Sequence, residues 1–294
     1  MNRLVLRLSG FLVFLLVFSS FSPACQSMAF WNSKPTVVTT IYPIYDFAKQ
    51  VFGDKAEVIL LTPPGAEPHG WEPGPADLVK VKKASLFIYN GAGMEPWVEK
   101  IQQTVLAGKK TVNASDAVEV LRASHEDGHD HGHNHGHNHG HSQHDKGQMD
   151  PHIWLDPVNA QDIIKKIAQA AKEVDPANAA SYDSNANSYN AQLAALHAEY
   201  SAVFNQAVRR EIVTTHAAFG YLAKRYGLEQ ESIMGLEPDA EPTPEKMAQI
   251  IRHIKSHSIK YIFSETLLSP KLAQTIARET GAKVLSINHI GGLT

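Results

Sequence analysis

From Pro176 to Ala207 the chain reads PANAASYDSNANSYNAQLAALHAEYSAVFNQA. Ala, Asn, Gln, Tyr and Leu run on without a strand signal, and Ala177–Ala207 holds neither proline nor glycine. The stretch predicts one long, stiff helix, because bending a helix needs a specific cause such as proline or glycine. On either side, short apolar runs alternate with helical patterns. Strands are expected at Thr36–Ile41, Glu57–Leu61, Ser85–Tyr89, Glu211–Thr215, Ser232–Leu236, Lys260–Ser264 and Lys283–Ile287. Helices are expected at Pro75–Lys83, Glu95–Leu106, Ala217–Tyr226, Pro244–His257 and Pro270–Thr280. Such alternation argues for parallel sheets with crossover helices. Asp156-Pro157 and Thr243-Pro244 each set a capping oxygen before a proline at a first helical position. The expected fold class is α/β: an N-terminal lobe over 30–175, a linker helix over 176–207 and a C-terminal lobe over 208–294.

The chain has 294 residues, 43% hydrophobic and 19% charged, enough for two real cores and too apolar for wholesale disorder. A formal net charge of -3 gives no sign of nucleic-acid binding, which usually needs a basic face. The single cysteine, Cys25, excludes an intrachain disulfide framework. Arg3 and Arg7 followed by the apolar run Phe11–Phe18 predict a secretory signal peptide over 1–29, since a membrane span needs about 20 apolar residues. Cleavage after Ser27-Met28-Ala29 competes with a degenerate lipoprotein box, Ser22-Pro23-Ala24-Cys25, that would anchor the protein through Cys25. Either way the location is extracytoplasmic, or periplasmic. The last residues, Gly291-Gly292-Leu293-Thr294, follow directly on a strand-like run, and the natural chain is expected to continue beyond them.

Histidine is the anomalous count. Of 16 histidines, nine fall in one low-complexity insertion over 124–147: His125, His129, His131, His133, His135, His137, His139, His141 and His144. Many imidazoles on a glycine-flexed segment predict loose binding of zinc, nickel or copper. Ligands in open α/β sheets bind beyond the carboxyl ends of strands. Polar residues at those ends are His69, His216, Glu265, and the pair Asn288 and His289; His152 sits in a stiff loop at a helix start. His69, His152, His216 and Glu265 thus fall where one cleft between the halves collects them, a donor set suited to zinc. Each also has a plainer reading: His216 as a helix cap, Glu265 as a helix N-terminal charge, Asp46 and Asp77 as helix-face charges. His197, His253 and His257 are expected to be surface residues.

Three segments resemble one family. Gly65-Ala66-Glu67-Pro68-His69-Gly70-Trp71-Glu72-Pro73, Asp150-Pro151-His152-Ile153-Trp154-Leu155-Asp156-Pro157 and Thr215-His216-Ala217-Ala218-Phe219-Gly220-Tyr221 are similar to the ligand segments of the cluster A-I solute-binding proteins of metal-importing ABC transporters, in the zinc-uptake branch. The resemblance runs from about Pro35 to the end, the His-rich insertion excepted. It implies two Rossmann-like lobes joined by one long rigid helix, with a metal site in the inter-lobe cleft. It implies that His69, His152 and His216 ligate Zn2+, carried as transported cargo. Glu265 would be a fourth ligand or the group behind one, and Glu67 an alternate. Manganese-binding relatives have Glu where this chain has His216, and Asp where it has Asn288; both differences favour zinc. The implied partners are a membrane permease subunit and periplasmic metal donors, around a monomeric binding protein. The competing classes are a zinc enzyme with three histidines and an open fourth position, with Glu67 or Glu265 as base, and a metal buffer or adhesin. No nucleophile motif or oxyanion loop accompanies the histidines to support the enzyme.

Overall fold

In the first lobe four short strands make a parallel sheet of order β2-β1-β3-β4: β1 (Thr36–Thr39), β2 (Glu57–Leu60), β3 (Leu86–Tyr89) and β4 (Thr111–Asn113). The second lobe repeats the plan with β5 (Glu211–Thr214), β6 (Glu229–Ser232), β7 (Tyr261–Glu265) and β8 (Lys283–Ile287) in the order β6-β5-β7-β8. The computed structural model describes residues 34–122, 147–238 and 241–293. The expected signal peptide, Cys25 and the His-rich run His125–His144 lie outside the described residues. No described helix is long and apolar enough to cross a membrane.

Helix α1 (Tyr42–Phe52) buries Ile44, Phe47, Ala48, Val51 and Phe52, the i, i+3, i+4, i+7, i+8 stripe of a helix lying on a core. It stops at Gly53, whose φ of 55° suits a residue without a Cβ. Helix α2 (Pro75–Lys83) and the short α3 (Trp97–Ile101) cover the other face of the sheet, where Phe87 and Trp97 pack together. Helix α4 (Pro157–Val174) starts as expected: Asp156 accepts a hydrogen bond from the Val158 amide (2.9 Å) and Pro157 opens the first turn. The long stretch folds as a 3-10 turn over Pro176–Asn178 and then α5 (Ala179–Asn205), 27 residues without a break.

Helix α5 belongs to both lobes. Its first half lies on α1 and α4, where the Asn185 amide donates to Val51 O (3.0 Å) and the Tyr189 hydroxyl to Asp46 (3.0 Å). Its last turns meet α6 (Gly220–Tyr226): Tyr200 and Phe204 pack on Tyr226, and the Tyr226 hydroxyl pairs with His197 Nδ1 at 3.0 Å. His197 is therefore part of the lobe junction. Tyr182 is fully buried at the root of α5; its hydroxyl donates to Asp175 (2.5 Å) and its ring meets Phe52 edge-on. Tyr182→Ala is expected to cost about 3–5 kcal/mol of stability, read as a lower urea midpoint at unchanged slope. Tyr182→Phe keeps the ring and should cost only about 1–2 kcal/mol.

Two expectations need correcting. The strand expected over Ser232–Leu236 lies earlier, at Glu229–Ser232. It is a polar edge strand, and the buried apolar residues Ile233, Met234 and Leu236 leave it for the core beyond the strand ends. The helix expected over Glu95–Leu106 shrinks to Trp97–Ile101, because the buried Glu95 carboxylate instead ties the Thr40 hydroxyl and the Asn90 and Gly91 amides. One element was not expected, the three-residue β4, whereas α1 carries Asp46 on the helix expected there. Helix α7 (Pro244–Ser256) and α8 (Lys271–Thr280) match closely and cover one face of the second sheet.

Candidate metal centre

Three loops, two at the carboxyl ends of strands and one before α4, are held in place by hydrogen bonds. After β2, the Glu67 carboxylate accepts from the His69 amide (3.3 Å). Before α4, Asp150 accepts from the His152 amide (2.9 Å), while Asn90 donates to Pro151 O (2.8 Å) and the Tyr221 hydroxyl to Asp150 O (2.8 Å). After β5, the His216 carbonyl accepts from Thr214 Oγ1 (2.7 Å) and Gln230 Nε2 (3.2 Å). Gly220 lets α6 approach this region: a Cβ there would stand 2.7 Å from Asp150 Oδ2.

The loops bring three imidazoles to one point. His152 Nε2 lies 3.1 Å from His69 Nε2 and 3.1 Å from His216 Nε2. His152 and His216 are fully buried. Behind His152, Nδ1 meets Asp150 Oδ1 at 2.8 Å; behind His216, Nδ1 meets the Glu265 carboxylate. A carboxylate at Nδ1 fixes the ring proton there, so Nε2 of both rings presents a lone pair. Two lone pairs facing each other at 3.1 Å repel unless a cation lies between them. A tetrahedral ion with bonds of ~2.0–2.1 Å sets its donor atoms ~3.3 Å apart, close to the spacing seen.

The electrostatics favour neutral rings. Burial first, then the charges of His152 and His216, lower the His69 pKa to about 2. Burial drives His152 well below its ordinary value, with His216 adding to the effect. Burial would raise Glu265, but the hydrogen bond and charge of His216 and the Thr215 hydroxyl (2.7 Å) hold it below the ordinary carboxylate range. Asp150 goes the other way: burial lifts it to about 7 against the pull of the His152 amide.

His69, His152 and His216 thus converge. Glu265 stands behind His216, its Oε1 taken by the Thr215 hydroxyl and the His216 amide. Glu67 Oε1 lies 4.0 Å from His69 Nε2. Two residues outside the expected donor set join them. Asp150 orients His152, and the Asp-Pro-His spacing that makes this turn is visible in the sequence. His289 is fully buried, its ring 5.3 Å from that of His216, with both ring nitrogens lacking a hydrogen-bond partner. Burial, then the charge of His216, lowers its pKa to about 4. Its carbonyl accepts from Trp154 Nε1 (2.7 Å), while the neighbouring Asn288 turns away and caps the Ile290 amide.

The sequence profile of the family described as zinc-uptake complex component A, periplasmic, matches residues 37–294. The chain belongs to this zinc-uptake family. It is 42% identical over 264 residues to the high-affinity zinc uptake system protein ZnuA of Bacillus subtilis, covering 90% of this chain and 81% of that one. It is 36% identical to the zinc-binding lipoprotein AdcA of Streptococcus pneumoniae, covering 93% of this chain and 54% of AdcA, so it spans about half of that relative's length. Among solved structures, the laminin-binding protein Lmb of Streptococcus agalactiae, described as an adhesin with metal-transporting activity, superposes with a TM-score of 0.77 at 30% identity, covering 88% of this chain and 91% of that one. Zn(II)-bound AdcA superposes at 0.73 with 35% identity, covering 89% of this chain and 52% of AdcA. An uptake component of this family carries its metal as cargo, and the zinc-enzyme alternative gives way to a binding protein.

Proposed function

We propose that this protein captures Zn2+ outside the cytoplasm at His69, His152 and His216 and hands it to the permease of an ABC-type importer. The observation that carries the reading is the pair of buried Nε2 lone pairs of His152 and His216, facing each other at 3.1 Å with a carboxylate behind each ring. His289 is the fourth donor in this reading: its buried ring makes no hydrogen bond on either nitrogen, only a 3.6 Å contact from Nδ1 to the Glu265 carboxylate. Such burial is costly, and a bound cation relieves that cost. An all-imidazole set favours zinc over manganese, which prefers oxygen. The lobes of this reading are 30–175 and 208–294, joined by the 176–207 helix, with 1–29 as the export signal.

Competition against a chromophoric chelator tests it. One tight zinc site is expected, not displaced by excess Mn2+; displacement by Mn2+, or the lack of a tight site, would contradict the proposal. In a zinc-starved strain lacking the gene, the parent should restore growth and the His152→Ala protein should not. Asp150→Ala keeps all the histidines but frees the His152 ring to turn. It is expected to weaken zinc about 10–100-fold in the same titration.

A further inference from the structure

At the opposite end of β5 from His216, a second set of donors meets. Glu211 opens β5; His253 lies in the last turn of α7 and His257 follows that helix. Five residues of extended chain put this point about 17 Å from the buried cluster. His253 and His257 are four apart, so their rings share one helix face, with centroids 4.2 Å apart. His257 Nδ1 lies 2.7 Å from Glu211 Oε1, and one donor atom from each of the three residues falls within 4.8 Å of the others.

We propose that Glu211, His253 and His257 form a second, weaker site for borderline divalent cations of the zinc, nickel and copper type. Two imidazoles and a carboxylate suit these ions, with water completing the coordination. The carbonyl end of α7 adds negative potential at the same place. The nearby guanidinium groups are already engaged: Arg209 donates to Ser258 O (3.0 Å), and Arg210 to Tyr226 O (3.0 Å) and Gly227 O (3.3 Å). Lys260 lines the same depression and limits the affinity. The His257 side chain is 44% exposed and that of Glu211 31%, so an ion reaches the donors directly and exchanges readily, unlike at the buried centre.

Histidine carbethoxylation of the full chain, mapped by peptide mass spectrometry, reads this site separately from the others. Free Zn2+ is set by a chelator buffer, first at a level that fills only the tight site and then higher. At the higher level His253 and His257 should become protected together, while His197, paired with Tyr226, keeps its rate. Glu211→Gln should raise the free Zn2+ needed for protection about tenfold. His253→Ala should remove the protection of His257. Retention of the tight zinc site in each variant shows that the fold is intact. Unchanged rates at all zinc levels, which would mean only an ion pair between Glu211 and His257, would overturn the proposal. So would protection of His257 that survives His253→Ala.

Discussion

The His152→Ala protein is expected to bind zinc about 10²–10³-fold more weakly than the parent, the share of one ligand in a four-ligand site whose binding energy is ~10–16 kcal/mol. His152 is chosen because its Nε2 is the atom within 3.1 Å of both other rings. Its loss removes one donor and the neighbour against which the other two are set. It also leaves the buried Asp150 carboxyl without the imidazole it now faces at 2.8 Å. Titration with a chelator of matched affinity reads the change. Affinity within threefold of the parent would remove His152 from the site.

The zinc-free protein should lose stability as the pH falls from 6.5 toward 4.5. In the folded state His69, His152 and His289 stay neutral through this window, their pKa values lowered to about 2, well below the ordinary value, and to about 4. The unfolded chain protonates the same three groups below the reference value of ~6.5, so it binds three protons that the folded chain refuses. Asp150 and Glu95 oppose this: burial raises each to about 7, and the folded chain keeps two protons that the unfolded chain has released. The unfolded state is left with a net excess of one proton, and stability falls by ~1.4 kcal/mol per pH unit. Urea denaturation of the zinc-free protein at several pH values reads the slope. A flat or rising stability on acidification would reject the burial of these rings. Acid release of zinc should then follow the loss of the fold more than titration of these three rings.

The fold was legible wherever periodicity ran long enough to stand out. The unbroken composition of Pro176–Ala207 marked α5, and the proline-capped starts at Asp156 and Thr243 marked α4 and α7. The polar residues of β6 hid it, because an edge strand needs no apolar pattern, and three residues of β4 carry no period at all. In the candidate centre, His69, His152 and His216 stood at strand ends or a helix start, where single-sequence reasoning looks. His289 stood there too, beside Asn288, but nothing local decides which of two adjacent polar residues turns inward. The hydrogen bond from Ile290 N to Asn288 and that from Trp154 to the His289 carbonyl decide it, and the second joins residues far apart in sequence. The role of Glu265 behind His216 is hidden for the same reason, since it depends on β7 pairing beside β5. His253 and His257 read as surface residues one at a time; only the start of β5 brings Glu211 to them.

The most direct test is a crystal structure of the zinc-loaded protein with anomalous data collected on both sides of the zinc absorption edge. The strongest anomalous peak should lie among His69, His152 and His216, ~2.0–2.1 Å from each Nε2, with His289 as the fourth donor. A dominant peak elsewhere, with the three rings still facing one another around an empty point, would contradict the assignment of these residues as the zinc-binding centre.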